Sequence, residues 1–266
     1  MGIEVETVRV NGFSMDYFSF GRGERALVIL PGLSAQSVMG AAEAVAAAYA
    51  PLAENFTIWL FDRRREIPPD YSLRAMAEDT ASAFRALGLE RVCLFGASQG
   101  GMIALLIAIE HPELVGKLAL GSSSARVTDA QFETLARWEA LARARDRAGL
   151  YLDFGGKLYP PAIFEQCREG LIAASQSVTD AELDRFVILT ESMRGFDVTD
   201  RLSEIRCPVL ALGDFDDNVL DADATMEIAE NLDHRPDFRL YLYAGCGHAA
   251  FDTAPDYKQR LLDFFL

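Results

Sequence analysis

The sequence predicts an α/β fold, a mostly parallel central sheet with antiparallel strands at its start and helices on both faces. Three observations carry this. Short continuous apolar runs recur along the chain, at Ala26 to Leu30, Phe56 to Phe61, Val92 to Phe95, Leu118 to Leu120, Val209 to Leu212 and Phe238 to Tyr243. Runs of that length and texture suit strands buried on both faces. Helical patterns separate several of them, and that alternation implies parallel strands joined by right-handed crossovers. Before the first run, Val5 to Val10 and Phe13 to Phe20 alternate apolar and polar residues around Asn11-Gly12, a strong hairpin signal.

In chain order, Ser72 caps a segment in which Leu73, Met76, Ala77, Thr80, Phe84 and Leu87 recur at helical spacing until Gly88. This helix is amphipathic and covers a sheet face. Gly100 to Ile109 is apolar almost all round and ends at His111-Pro112, as expected of a more deeply buried helix. The final segment, with Pro255 near its start, sets Tyr257, Leu261, Phe264 and Phe265 on one side. The rhythm breaks between about Arg126 and Arg201, where helical stretches at Gln131 to Arg147, Ala162 to Ser175 and Asp180 to Arg194 flank an expected loop at Gly155 to Pro161. This interval reads as a helical cap, giving a core of residues 1–125 and 202–266 with a cap insertion at 126–201. A chain of 266 residues, 50% of them hydrophobic, suffices for one such core.

The formal net charge of −15 repels phosphate backbones and anionic headgroups, so neither nucleic acid nor a membrane surface is an expected partner. No apolar run is long enough to span a bilayer, and the first ten residues lack the basic start and apolar stretch of a signal peptide, which points to a cytoplasmic location. Cys93, Cys167, Cys207 and Cys246 show no metal-ligand spacing and are expected as reduced thiols.

Gly96-Ala97-Ser98-Gln99-Gly100 matches G-x-S-x-G, in which small flanking residues permit a sharp strand-to-helix turn that projects a serine hydroxyl. Its position between an apolar strand and an apolar helix is the context the chemistry requires. A serine nucleophile needs an imidazole to accept its proton and a carboxylate to hold that imidazole. Of three histidines, His111 sits at a helix end, where the dipole explains it, and His234 lies in a polar segment. His248 follows a strand in the Gly-rich loop Gly245-Cys246-Gly247-His248 and is the expected base. Cys246, two residues earlier, lacks any activating neighbour visible in the sequence. For the acid, Asp214, Asp216 and Asp217 compete after the strand Val209 to Leu212, with Asp221 and Asp223 suited to a helix start.

The order Ser…Asp…His with this elbow resembles the α/β-hydrolase fold superfamily. Gly213, Asp216 and Val219 are similar to its G-x-x-D-x-x-V acid-loop pattern, so the resemblance selects Asp216. It also implies an oxyanion hole from two backbone N–H groups, one on Gln99 and one on Leu33 of Pro31-Gly32-Leu33-Ser34, where Pro31 replaces the superfamily's usual histidine and Ser34 offers an extra contact. Asp62-Arg63-Arg64-Arg65-Glu66 departs from the relatives' Gly-rich segment; a solvated loop is the simpler reading, a substrate-carboxylate site the sharper one. In the cap, Phe132, Trp138, Tyr151, Phe154, Tyr159 and Met193 are candidates to line a pocket.

The expected activity is hydrolysis of a small-molecule carboxylic ester or lactone through an acyl-enzyme, with no metal or organic cofactor. Carbon–carbon bond hydrolysis, amide or iminopeptidase cleavage and perhydrolysis fit the same fold. A small-molecule receptor that retained the scaffold is the alternative of another class. Oligomeric state is not encoded legibly.

Overall fold

The computed structural model describes residues 2–10 and 12–266. Its elements follow the expected alternation: β1 (Val5–Val10), β2 (Phe13–Gly21), β3 (Arg25–Leu30), α1 (Ala42–Ala48), β4 (Phe56–Arg64), α2 (Leu73–Ala86), β5 (Val92–Ala97), α3 (Gln99–Glu110) and β6 (Val115–Gly121). Four helices then intervene, α4 (Asp129–Arg143), α5 (Arg147–Leu158), α6 (Pro161–Ser175) and α7 (Asp180–Glu191). The chain returns to the sheet with β7 (Val209–Asp214), α8 (Asp221–Leu232), β8 (Phe238–Tyr243), α9 (Ala250–Thr253) and α10 (Tyr257–Phe265).

Among the described residues the strands form one eight-stranded sheet in the order β1-β2-β4-β3-β5-β6-β7-β8. β1, β2 and β4 pair antiparallel and the rest pair parallel, so the expected α/β-hydrolase architecture is present. The β1–β2 connection contains Gly12 at φ +86°; Asn11, the other half of the hairpin signal, lies outside the described residues.

Strand alternation divides the core between the two faces of the sheet. Val28 and Leu30 of β3 and Leu94 of β5 face one cluster, filled out by Met76, Ala77 and Phe84 of α2 and Met102 and Leu106 of α3. Leu27, Ile29, Cys93 and Phe95 face the other, packed on Tyr49 and on Tyr257, Leu261 and Phe265 of α10. α3 is buried from Gln99 to Ile109, which is why its sequence shows no polar stripe. Ser72 caps α2 by accepting a hydrogen bond from Ala75 N.

Three expectations change. β4 runs on to Arg64, so Arg63 and Arg64 belong to a strand and not to a solvated loop. β8 is an edge strand with Leu240 and Tyr241 exposed, because a neighbour on one side only leaves part of it uncovered. Gly155, Gly156 and Lys157 lie inside α5, not in a loop. Helix α6 approaches α5 so closely there that a Cβ on Gly155 would sit 2.4 Å from Leu171 Cδ1. The glycines of α5 serve helix packing, and the turn is made by Tyr159 and Pro160.

Phe95 is fully buried, with its ring centroid 6.0 Å from Tyr257 and 6.4 Å from Tyr49. Phe95→Ala is expected to cost about 3–5 kcal/mol of unfolding free energy, read by urea denaturation. A loss below about 1 kcal/mol would show that this face repacks freely.

Candidate active site

At the end of β5 the chain turns into α3 within a single residue. Ser98 makes that turn at φ +51°, ψ −121°, a conformation rare for residues with a side chain. Its backbone is pinned by Ser98 N donating to Gly121 O at 2.8 Å, and by Gly101 N and the Ser123 hydroxyl donating to Ser98 O, both at 2.8 Å. The flanking glycines are required by contact: a Cβ on Gly96 would lie 2.4 Å from Gly100 O, and one on Gly100 would lie 2.1 Å from Leu30 O. Strand, elbow and helix are therefore stacked backbone on backbone.

His248 is buried in the loop after β8 and reaches the same cavity as Ser98, a space of about 360 Å³. Its Nδ1 lies 2.8 and 2.9 Å from the two carboxylate oxygens of Asp217, which is also buried. A carboxylate only accepts, so Nδ1 is the donor of this pair; in the neutral ring that leaves Nε2 as the acceptor. Asp217 additionally accepts from Val219 N at 2.8 Å and Leu220 N at 3.1 Å, which fixes the orientation of its carboxylate.

This corrects the expectation for Asp216. Asp216 is exposed and its carboxylate accepts from Gly245 N at 2.7 Å, tying the acid loop to the histidine loop without touching the imidazole. Asp214 is buried beneath both loops, accepting from Asp216 N at 2.7 Å and Cys246 N at 2.9 Å. The reason lies in the sheet: β7 stays paired with β8 through Asp214, and Phe215 N still donates to Tyr243 O, so the chain leaves the sheet late and the third aspartate reaches the imidazole.

The other candidates separate cleanly. His111, at the end of α3, contacts Glu78 and Arg85, and His234 is exposed. Burial and the nearby Asp214 carboxylate push the Cys246 thiol pKa up, the opposite of an activated nucleophile. Leu33 and Ser34 line the cavity, the Ser34 hydroxyl donating to Gln36 O at 2.8 Å, and Gln99 begins α3 directly after Ser98. Among the described residues neither the Leu33 nor the Gln99 backbone N–H donates within the protein. Trp138, Phe154, Tyr159 and Met193 line the same cavity, whereas Tyr151 lines an adjoining recess and Phe132 packs under the Arg194 guanidinium.

The arginine triplet does three different things. Arg63 is buried, and its Nη2 donates to Pro31 O at 2.8 Å and to the Gln99 side chain at 3.2 Å, bridging the segments that carry Leu33 and Gln99. Burial lowers its pKa to about 10, leaving it charged at neutral pH. Arg64 lies over the rings of Phe13 and Tyr71, and Arg65 pairs with Asp16 at the surface. None lines the cavity.

Side chains of α4 and α5, with Tyr159 and with Met193 after α7, roof the cavity, and the helical segment is tied to its floor by polar contacts. Arg185 of α7 pairs with Asp62 at 2.9 Å, whose other oxygen accepts from Ser37 at 2.6 Å. The Gln99 amide donates to Leu189 O of α7 at 2.7 Å, and Ala249 N, next to His248, donates to Leu158 O at the end of α5.

The chain matches the alpha/beta hydrolase family over residues 27–257. It is 31% identical over 238 residues to the protein named "Putative carbamate hydrolase RutD" of Agrobacterium fabrum, a match covering 81% of this chain and 85% of that one. Among solved structures it is similar to MGS-M2, an alpha/beta hydrolase enzyme from a Medee basin deep-sea metagenome library, with a TM-score of 0.86 at 21% identity, covering 98% of this chain and 97% of that one. It is also similar to the esterase RhEst1 from Rhodococcus sp. ECU1013, with a TM-score of 0.76 at 25% identity over 99% and 98% of the two chains. No helix among the described residues is long and apolar enough to cross a membrane.

Arg63→Met keeps an unbranched apolar stem but removes the guanidinium that donates to Pro31 O and to Gln99. A stability loss of about 1–3 kcal/mol is expected from the stranded acceptors, measured by denaturant unfolding. Unchanged stability would mean that water replaces the guanidinium without cost.

Proposed function

The chain belongs to the alpha/beta hydrolase family, and from that premise we propose that it hydrolyses a carboxylic ester or lactone of a small molecule through a covalent acyl-Ser98 intermediate. The observation that carries this reading is a serine at a forced backbone turn sharing one cavity with a histidine whose Nδ1 is held by a buried carboxylate.

In this mechanism His248 Nε2 accepts the hydroxyl proton as Ser98 Oγ adds to the substrate carbonyl carbon. Asp217 keeps the productive tautomer and stabilises the imidazolium that forms. The Leu33 and Gln99 N–H groups donate to the oxyanion, where charge develops in a mostly apolar cavity and a hydrogen bond is worth more than in water. The tetrahedral adduct collapses, His248 returns the proton to the leaving oxygen, and the alcohol departs; a lactone instead opens and remains attached through its acyl end. Water, deprotonated by His248, then attacks the acyl carbon, and as the bond to Ser98 Oγ breaks His248 returns that proton to Oγ and the acid is released. Arg63 acts as a positioning residue, holding the two oxyanion segments at a set separation.

A second reading is hydrolysis of a carbamate by the same steps, favoured by the 31% identity to the RutD relative over most of both chains. Turnover of carbamate esters exceeding that of matched carboxylic esters would favour it.

Ser98→Ala is expected to lower kcat on short nitrophenyl esters by at least about 10³-fold. Asp217→Asn is expected to lose about 10⁴-fold and Asp216→Asn less than about tenfold, because only Asp217 meets the imidazole. Retained activity in Ser98→Ala would overturn the mechanism, and a larger loss in Asp216→Asn than in Asp217→Asn would overturn the assignment of the acid.

A further inference from the structure

We propose that Asp252 is a cation-binding residue of the active-site cavity, so that the preferred substrates are small esters carrying an ammonium group on an otherwise apolar frame. The proposal rests on the reading of the cavity as a substrate site and adds to it the chemical class of the substrate.

Asp252 lies on α9, four residues beyond His248, and lines the cavity that contains Ser98. Most of the remaining wall is apolar or aromatic, including Leu33, Val38, Trp138, Phe154 and Phe251. Asp252 is the one carboxylate on that wall, and no arginine or lysine lines it. The other carboxylates near the site are committed: Asp62 to Ser37 and Arg185, Asp214 to two backbone N–H groups, Asp216 to Gly245, and Asp217 to His248. Asp252 is solvent-exposed, and among the described residues its carboxylate accepts no hydrogen bond from the protein. Lys258, the cation that acts on it, donates instead to Phe251 O and stands over the Tyr49 ring.

Asp252 remains solvent-accessible, and the apolar surroundings on its protein side disfavour its charged form and raise its pKa. An ammonium group removes that cost by ion pairing, while a substrate carboxylate increases it. Aromatic side chains of Trp138 and Phe251 line the same cavity, and aromatic rings attract cations. The net charge of −15 raises the local concentration of cationic solutes around the whole molecule.

Two isosteric ester pairs test this in the full chain: ethyl 5-aminopentanoate against ethyl hexanoate, with the charge in the acyl part, and acetylcholine against 3,3-dimethylbutyl acetate, with the charge in the alcohol. The parent is expected to favour the cationic member of at least one pair by about tenfold in kcat/KM. Asp252→Asn should bring that ratio to near one, and Asp252→Glu should retain a preference above about threefold. No cationic preference in either pair, or a preference that survives Asp252→Asn, overturns the proposal. Calorimetric titration of butylammonium chloride supplies a readout that needs no turnover: binding to the parent, weakened at least about fivefold in Asp252→Asn, is expected. Asp252-dependent butylammonium binding without hydrolysis of any ester would support the cation site and overturn the ester reading. Ester turnover with no charge preference and no butylammonium binding would do the reverse.

Discussion

The structure depends on one steric constraint, the stacking of bare backbone where β3, β5 and the start of α3 meet. With Gly96 facing Gly100 and Gly100 facing Leu30 O, no side chain fits between these segments. The chain is therefore forced to turn at Ser98 in a rarely occupied conformation, and the cost is met by hydrogen bonds from Gly101 N and Ser123 to Ser98 O and from Ser98 N to Gly121 O. The same closeness brings the loop after β3 beside the first turn of α3, so that the segments bearing Leu33 and Gln99 converge on the serine. Arg63 then spans them with a single buried guanidinium.

The second level of organisation is polar. The acid loop and the histidine loop are cross-linked by Asp214 and Asp216 through backbone N–H groups, which frees Asp217 to face His248 alone. Roof and floor are joined by Arg185 to Asp62, Gln99 to Leu189 O and Ala249 to Leu158 O. These links join α5 and α7 to the segments that carry Gln99, Asp62 and His248. Three aspartates within four positions thus have three different sets of partners.

Much of this was legible in the sequence, and the misses have physical causes. Strand periodicity and the elbow located β3, β5 and Ser98, because both depend on local patterns that tertiary packing reinforces. His248 was legible by elimination among three histidines. The spacing pattern pointed to Asp216, one position from the aspartate that contacts the imidazole, because which of the two reaches it depends on how far β7 remains paired with β8. Arg63 was read with its neighbours as loop because a guanidinium in an apolar strand is rare, and its partners Pro31 O and Gln99 are 32 and 36 residues away. The glycines of α5 resembled a loop because their packing partner, α6, is defined only in three dimensions. No local pattern signals Asp252, whose significance lies in the cavity wall it joins.

The account centres on Ser98 as a nucleophile aimed at an oxyanion site formed by Leu33 and Gln99. A crystal structure of the protein after reaction with a small alkyl phosphonate ester tests it most directly. The account predicts phosphorus bonded to Ser98 Oγ, with the phosphonyl oxygen within about 3.1 Å of both backbone nitrogens and His248 Nε2 facing the adduct. Phosphonylation of Cys246 or of another serine, or a phosphonyl oxygen directed away from Leu33 and Gln99, would contradict it.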